Sequence, residues 1–136
     1  MPFIYSRTVH FQETDAAGVV YFANVLMFCH EAYEASLAAA GIELKLFFGK
    51  APFAVPVVHA SVDFRQPMFC GDRISIQLVP QQLDQYQFET AYQVFLADDR
   101  LAAGAIARHV CIDAVKRTRM PLPETLLHWL AVTAQA

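Results

Sequence analysis

The first segment of the chain alternates between apolar and polar residues. Between Phe3 and Phe11, one face would carry Phe3, Tyr5, Val9 and Phe11, and the other Ser6, Thr8 and His10. A period of two residues is typical of a half-buried strand. We therefore predict that a β-strand opens the chain.

A longer apolar stretch follows a bend at residues 16–22. Asn24 is a plausible N-cap of a helix that runs to Ala40, where Gly41 is a typical stop. Along one stripe this helix would carry Leu26, Cys29, Tyr33, Leu37 and Ala40, and most of its other positions are also small or apolar. A helix that is apolar nearly all round is typical of a buried position.

The second half of the chain predicts four more strands. They cover Ala54–Arg65, Arg73–Gln82, Gln85–Ala97 and Leu101–Val115, and turn residues separate them at Pro67–Asp72, Leu83–Asp84 and Asp98–Asp99. Short turns imply antiparallel pairing. After Pro123, a short helix is predicted over Glu124–Ala134. The pattern predicts an α+β fold, in which a long central helix is wrapped by a curved five-stranded antiparallel sheet in one domain, residues 1–136.

Composition adds an excess of apolar surface to this picture. Hydrophobic residues make up 56% of the 136 residues and charged residues 17%, against about 25% charged in an average soluble domain. The longest uncharged run, Ala16–Cys29, is shorter than the ~20 residues of a membrane span. We therefore expect a homo-oligomer, dimer or tetramer, and no membrane partner.

Charge and motif content argue against several protein classes. The net charge of −3 argues against nucleic-acid binding, which needs a basic face. The chain lacks the motifs of phosphate loops, serine hydrolases and HExxH zinc sites, so we predict no metal and no bound cofactor.

The chain has an odd number of cysteines, Cys29, Cys70 and Cys111, and no export signal is visible. This predicts reduced, buried thiols in a cytoplasmic protein.

The segment "ETDAAGVVYFAN", Glu13–Asn24, contains the main candidate for chemistry. Asp15 precedes a glycine-containing bend that leads into the predicted helix. A helix N-terminus offers unpaired N–H groups and a partial positive charge, which can stabilise an oxyanion. A carboxylate beside them can attack a carbonyl or activate a water. The alternative is that Asp15 is only a turn residue.

Two motifs resemble those of hotdog-fold acyl-CoA thioesterases of the 4-hydroxybenzoyl-CoA thioesterase type. The segment "ETDAAGVVYFAN" is similar to their D-x-x-G-[IV]-V-[YF] catalytic loop, and "VVHASVDFRQPMFCGDRI" to their central strand and the turn after it. The helix segment "CHEAYE" most resembles the branch that hydrolyses 1,4-dihydroxy-2-naphthoyl-CoA in phylloquinone biosynthesis. Phe22 stands where relatives of the Tol-Pal-associated type have histidine, which favours the aryl-CoA branches.

This resemblance implies hydrolysis of an aromatic acyl-CoA thioester, with coenzyme A as part of the substrate. Asp15 would be the nucleophile or the general base, the Phe22 N–H an oxyanion donor, and Gly18 part of the bend. Tyr21 and Phe22 would wall a flat aromatic pocket at a subunit interface. The alternatives are a broader acyl-CoA or 4-hydroxybenzoyl-CoA thioesterase and a non-catalytic acyl-binding hotdog protein.

Six further side chains are secondary candidates. Glu31 would support the site from the helix or form a solvated edge, and His59 would hydrogen-bond the acyl group or be an interface histidine. Arg65, at the end of the predicted central strand, and the basic cluster of Lys116, Arg117 and Arg119 would bind the phosphates of coenzyme A or belong to solvated turns.

Overall fold

The computed structural model describes residues 2–134, in which one long helix packs against a five-stranded antiparallel sheet. In chain order the elements are β1 (Phe3–Thr8), a 3₁₀ turn (Phe11–Glu13), α1 (Asn24–Ala39), α2 (Leu44–Gly49), β2 (Phe53–Ala54), β3 (Val57–Phe64), β4 (Arg73–Gln82), β5 (Gln87–Leu96), β6 (Leu101–Val110), β7 (Ile112–Asp113) and α3 (Glu124–Ala134). The main sheet has the order β1-β4-β5-β6-β3. The predicted fold class is therefore confirmed.

Helix α1 is covered on one side only. The sheet side buries Val25, Phe28, Cys29, Ala32, Tyr33, Ser36 and Leu37. Met27, His30 and Glu34 are exposed on another face, so the prediction of burial nearly all round is wrong for a single chain. The predicted stop is confirmed, because Gly41 has a φ of +87° and ends the helix in a left-handed conformation.

Strand β1 is shorter than the alternation predicts. It ends at Thr8, and Phe11 lies in the 3₁₀ turn with 80% of its side chain exposed. Arg7 occupies a buried position on the face that also carries the half-buried Tyr5. The alternation misleads beyond Thr8 because the chain turns at residues 11–13, where the Glu13 N–H donates to the His10 carbonyl and the Thr14 N–H to the Phe11 carbonyl.

The predicted strand Ala54–Arg65 is two strands in different sheets. Strand β2 pairs with β7 in a separate two-stranded sheet, and β3 pairs with β6. Pro56, which has no N–H to donate to a ladder, stands between them. Strand β3 is also an edge strand rather than a central one, and most of its residues are exposed.

The remaining strands follow the prediction closely. The pairings β4–β5 and β5–β6 are antiparallel, and α3 has the predicted bounds. The last predicted strand ends at Val110, and β7 follows it. Cys29 and Cys111 are buried free thiols, and burial raises the pKa of Cys29 to about 12, but Cys70 is exposed, contrary to prediction. No helix within residues 2–134 is long and apolar enough to cross a membrane.

Candidate active site

The bend before α1 is a tight loop fastened to its surroundings. Thr14 and Val20 form an isolated antiparallel bridge, and the Asp15 N–H donates to the Val19 carbonyl at 2.9 Å. The loop turns at Gly18, whose φ of +83° lies in the region that favours glycine. Val20 donates to the Met68 carbonyl at 2.8 Å, which ties the loop to the segment after β3.

The Asp15 carboxylate is held by its own loop. Oδ1 accepts hydrogen bonds from the N–H groups of Ala17 at 2.9 Å and Val19 at 3.4 Å. Oδ2 has no hydrogen-bond partner among the described residues. The side chain is half-buried, so one oxygen orients the group and the other remains available to a substrate or a water.

The start of α1 leaves two backbone donors unused. The Asn24 N–H donates to the Tyr21 carbonyl and the Val25 N–H to the Phe22 carbonyl. Within residues 2–134, no acceptor is found for the N–H groups of Phe22 or Ala23. Such amides at a helix N-terminus attract negative charge.

Asn24 does not cap the helix, contrary to prediction. The cap position is Ala23, and the Asn24 side chain instead donates through Nδ2 to the Glu13 carbonyl at 2.9 Å. The amide therefore binds the chain before the loop rather than the helix itself. This leaves the first turn open to an external acceptor.

Asp15 and Phe22 line the same cavity. Its volume is ≈ 380 Å³, and its walls are Asp15, Val19, Val20, Tyr21, Phe22, Val25, Phe64, Arg65, Gln66, Pro67 and Met68. The rings of Tyr21 and Phe22 lie 4.8 Å apart at its rim and are partly exposed. The residues around the cavity thus include Asp15 with an available carboxylate oxygen, Phe22 with a free N–H, several apolar side chains and one arginine.

A buried ionic cluster lies behind the loop. Arg7 donates to both Glu13 oxygens at 2.6 Å and to Glu31 Oε2 at 2.9 Å, and its guanidinium lies 4.1 Å from the centre of the Phe28 ring. Burial alone would raise the pKa of Glu13, but hydrogen bonds from Arg7 and from the His10 N–H hold that pKa below its ordinary value. Glu13 is therefore an ionised anchor beside the loop.

Comparison with known proteins places this geometry in a family. The family model described as the thioesterase-like superfamily matches residues 9–130. The chain belongs to the thioesterase-like superfamily. The resemblance stated from the two motifs is therefore confirmed.

Individual members of the thioesterase-like superfamily show how close the relation is. The chain is 54% identical, over 96% of each chain, to a protein of Trichodesmium erythraeum named 1,4-dihydroxy-2-naphthoyl-CoA hydrolase. It is 56% identical to a protein of the same name from Nostoc punctiforme, over 96% of this chain and 87% of that one. The crystal structure of a 1,4-dihydroxy-2-naphthoyl-CoA thioesterase from Synechocystis matches with a TM-score of 0.91 and 39% identity, over 96% of each chain. The hotdog fold is thereby confirmed.

Four of the residues predicted for a thioesterase-like site lie together. Asp15, Tyr21, Phe22 and Arg65 line one cavity, and Gly18 shapes the loop beside it. Phe28 of α1 is fully buried beneath Arg7 and belongs to the core rather than to the cavity wall. The loop and the helix start are therefore adjacent within a single chain.

Glu31 and His59 lie away from this cavity. Glu31 accepts hydrogen bonds from Arg7 and from the Tyr5 hydroxyl at 3.0 Å, so the ionic cluster accounts for its carboxylate. His59 is exposed on β3, in register with Arg108 of β6. Neighbouring residues Ala107 and His109 of β6 are buried toward α1, so Arg108 and His59 belong to the opposite sheet face.

The basic cluster at residues 116–119 also lies elsewhere in the chain. It follows β7, where the Asp113 carboxylate accepts hydrogen bonds from the N–H groups of Val115 and Lys116. Arg117 lines a different cavity, of ≈ 340 Å³, beside α2. Within one chain, only Arg65 of the four predicted phosphate-binding residues lies at the Asp15 cavity.

Sequence reasoning missed Arg7, Glu13 and the true role of Asn24. One signal was available, because Arg7 interrupts an otherwise apolar strand face and Glu13 is the carboxylate closest to it in the sequence. A charge in such a place is buried only with a partner. The amide bond of Asn24 to a main-chain carbonyl has no comparable signal.

Proposed function

We propose that the chain hydrolyses an aromatic acyl-CoA thioester, 1,4-dihydroxy-2-naphthoyl-CoA, to 1,4-dihydroxy-2-naphthoate and coenzyme A. The observation that carries this proposal is that Asp15 and Phe22 line one cavity, and that the Phe22 N–H has no acceptor within residues 2–134. Relatives that cover nearly the whole chain at about half identity bear the name of this hydrolase. The partly exposed Tyr21 and Phe22 rings suit a flat bicyclic acyl group.

The proposed chemistry uses the two sides of the cavity differently. The thioester oxygen accepts a hydrogen bond from the Phe22 N–H, which stabilises the negative charge that develops there. From the opposite side, Asp15 either removes a proton from an attacking water or attacks the carbonyl itself. In the second route the thiolate leaves as the mixed anhydride forms, and a water then cleaves the anhydride to release the acid and restore the Asp15 carboxylate. Coenzyme A leaves as a thiolate, since a thiol with a pKa of about 8.5 needs no strong acid to depart.

The cavity is proposed to be completed by a second copy of the chain. Val57, Val58 and Phe64 of β3 expose 41%, 56% and 54% of their side chains, and the outer edge of the strand pairs with no strand among residues 2–134. An edge of this kind is normally covered or paired. Two-fold pairing of β3 with its copy would be antiparallel, so the start of one strand would lie beside the end of the other.

This arrangement would bring two separated regions together. Strand β3 ends at Phe64, beside the Asp15 cavity, and starts at Val57, near the β2–β7 pair that precedes the basic cluster. Antiparallel pairing would therefore move the partner's basic cluster toward the cavity, on the side of Arg65. We propose that these cations bind the phosphates of coenzyme A.

A substrate panel tests the function. Released thiol is measured with 1,4-dihydroxy-2-naphthoyl-CoA, 4-hydroxybenzoyl-CoA, benzoyl-CoA and palmitoyl-CoA at equal enzyme concentration. We expect the highest kcat/KM with the dihydroxynaphthoyl thioester. A preference for 4-hydroxybenzoyl-CoA or for fatty acyl-CoA would replace this substrate, and release from none of the four with measurable binding would identify an acyl-binding protein instead.

A further inference from the structure

Glu13 fastens the loop of Asp15 to the start of α1 through its main chain. Its carbonyl accepts two hydrogen bonds, from the Tyr21 N–H at 2.9 Å and from Asn24 Nδ2 at 2.9 Å. Both donors belong to the segment where the helix begins. A carbonyl that accepts two hydrogen bonds uses both of its lone pairs, so the Glu13 carbonyl has none left for a third donor.

The side chain of Glu13 is held in place as well. The carboxylate is buried, accepts from Arg7 at 2.6 Å and accepts from the His10 N–H at 2.7 Å. Arg7 is itself immobilised, because it is buried and also binds Glu31. Charge-assisted hydrogen bonds of this kind are stronger than neutral ones. Glu13 is thus held at both its main chain and its side chain.

The contacts of Glu13 lie directly beside the free N–H groups of the helix start. The Glu13 carbonyl takes the Tyr21 N–H, and the next two N–H groups, of Phe22 and Ala23, have no acceptor within residues 2–134. Asp15 follows Glu13 by only two residues. We propose that Glu13 is a positioning residue, held by Arg7 and Asn24, that sets the distance between the Asp15 carboxylate and the free N–H groups of the helix start.

The positioning role of Glu13 rests on the proposed thioester hydrolysis. It can be distinguished from a purely structural role. A cluster that only stabilised the fold would contribute through either of its branches, Arg7–Glu13 or Arg7–Glu31–Tyr5. A positioning role requires the Glu13 branch, since that branch alone continues into the loop. Small displacements of reacting groups affect turnover far more than substrate affinity.

Three substitutions around Glu13 provide the matched comparison. Glu13→Gln removes the charge that Arg7 binds and keeps the shape of the side chain. Tyr5→Phe removes the 3.0 Å hydrogen bond to Glu31 and leaves Glu13 untouched. Asn24→Ala removes only the side-chain bond to the Glu13 carbonyl, and alanine suits a helix better than asparagine. The wild type and all three variants are assayed on the dihydroxynaphthoyl thioester, with thermal unfolding measured in parallel.

We expect Glu13→Gln and Asn24→Ala to lower kcat about tenfold with KM within about threefold of the wild type. Tyr5→Phe should leave kcat within about twofold, even where its melting temperature falls. An unchanged kcat in Asn24→Ala, or equal losses of kcat in Glu13→Gln and Tyr5→Phe, would overturn the positioning role. If Glu13→Gln does not fold, Asn24→Ala decides alone. An inactive wild type would refute the proposed function, whereas an active wild type with unaffected variants would refute only this inference.

Discussion

The loop of Asp15 and the edge strand β3 line the same cavity but are held in opposite ways. The loop is bound on several sides by its own chain, through Glu13, the Thr14–Val20 bridge and the Met68 carbonyl. Strand β3 contributes Phe64 to the cavity, yet its outer edge pairs with no strand in the described part of the chain. In the proposed assembly, one chain therefore holds the proposed reacting groups, and a second copy completes the walls around the substrate.

Removal of the Asp15 charge should produce the largest effect. Asp15→Asn keeps the side-chain shape but removes the anion that we propose attacks the thioester carbonyl or activates a water, so we expect kcat to fall by at least about 100-fold. Thiol release from the dihydroxynaphthoyl thioester measures it. Asp99→Asn is the matched control, because Asp99 is exposed in a turn at a φ of 67°, which asparagine also tolerates. Near-normal turnover in Asp15→Asn would exclude Asp15 from the mechanism.

Acid should release the clamp that Arg7 and Glu13 place on the loop. The pKa of Glu13 is depressed in the folded chain, so its contribution to stability is complete above the ordinary value of 4.5 and is lost as the pH falls through the folded value. We expect Glu13→Gln to lower the free energy of unfolding by about 2 kcal/mol at pH 7. Urea unfolding should show the same difference at pH 7 and pH 5 and a smaller one at pH 3.5.

The control for the acid prediction is an exposed carboxyl group. Hydrogen bonds, chiefly from the Tyr86 N–H, also lower the pKa of Asp84, but this group is fully exposed. Asp84→Asn should therefore change stability less than Glu13→Gln at every pH. A difference between Glu13→Gln and the wild type that stays constant from pH 7 to 3.5 would show that Glu13 is not an ionised anchor.

A charge on the edge of β3 should have a smaller effect, and through association alone. Val58→Lys places a cation on the exposed strand, and lysine is a residue with which natural edges prevent pairing. We expect the variant to elute as a monomer at micromolar concentration and its kcat/KM to fall about tenfold, because the cavity would lose the wall that we propose the second copy supplies. Val132→Lys on α3 is the control. A wild type that is already a monomer and fully active would contradict the proposed assembly.

The sequence predicted four of the residues that line the cavity and much of the fold, and the errors have physical reasons. Period-two patterns define β4 and β5 well, since each has one buried face. The same pattern over residues 54–65 concealed a break at Pro56, because apolar residues continue on both sides of it. Alternation also cannot distinguish an edge strand from a central one when the exposed side chains are apolar.

The site was predictable where the chemistry follows local sequence and not where it depends on long-range contacts. Asp15, Gly18 and Phe22 are within eight residues of one another, so a motif can contain them all. The bond from Asn24 to the Glu13 carbonyl spans eleven residues and uses a main-chain acceptor, which leaves no mark in the amino-acid pattern. The distance between Arg65 and the basic cluster at residues 116–119 depends on how all the strands of the sheet are arranged, which no local motif contains.

The most direct test of the central claim is the structure of the protein bound to a non-hydrolysable thioester analogue, in which a methylene group replaces the sulfur. The claim predicts that the analogue's carbonyl oxygen accepts a hydrogen bond of about 3 Å from the Phe22 N–H. It also predicts that the Asp15 carboxylate faces the carbonyl carbon from the other side. An analogue whose carbonyl binds outside this cavity, with the Phe22 amide left free, would contradict the account.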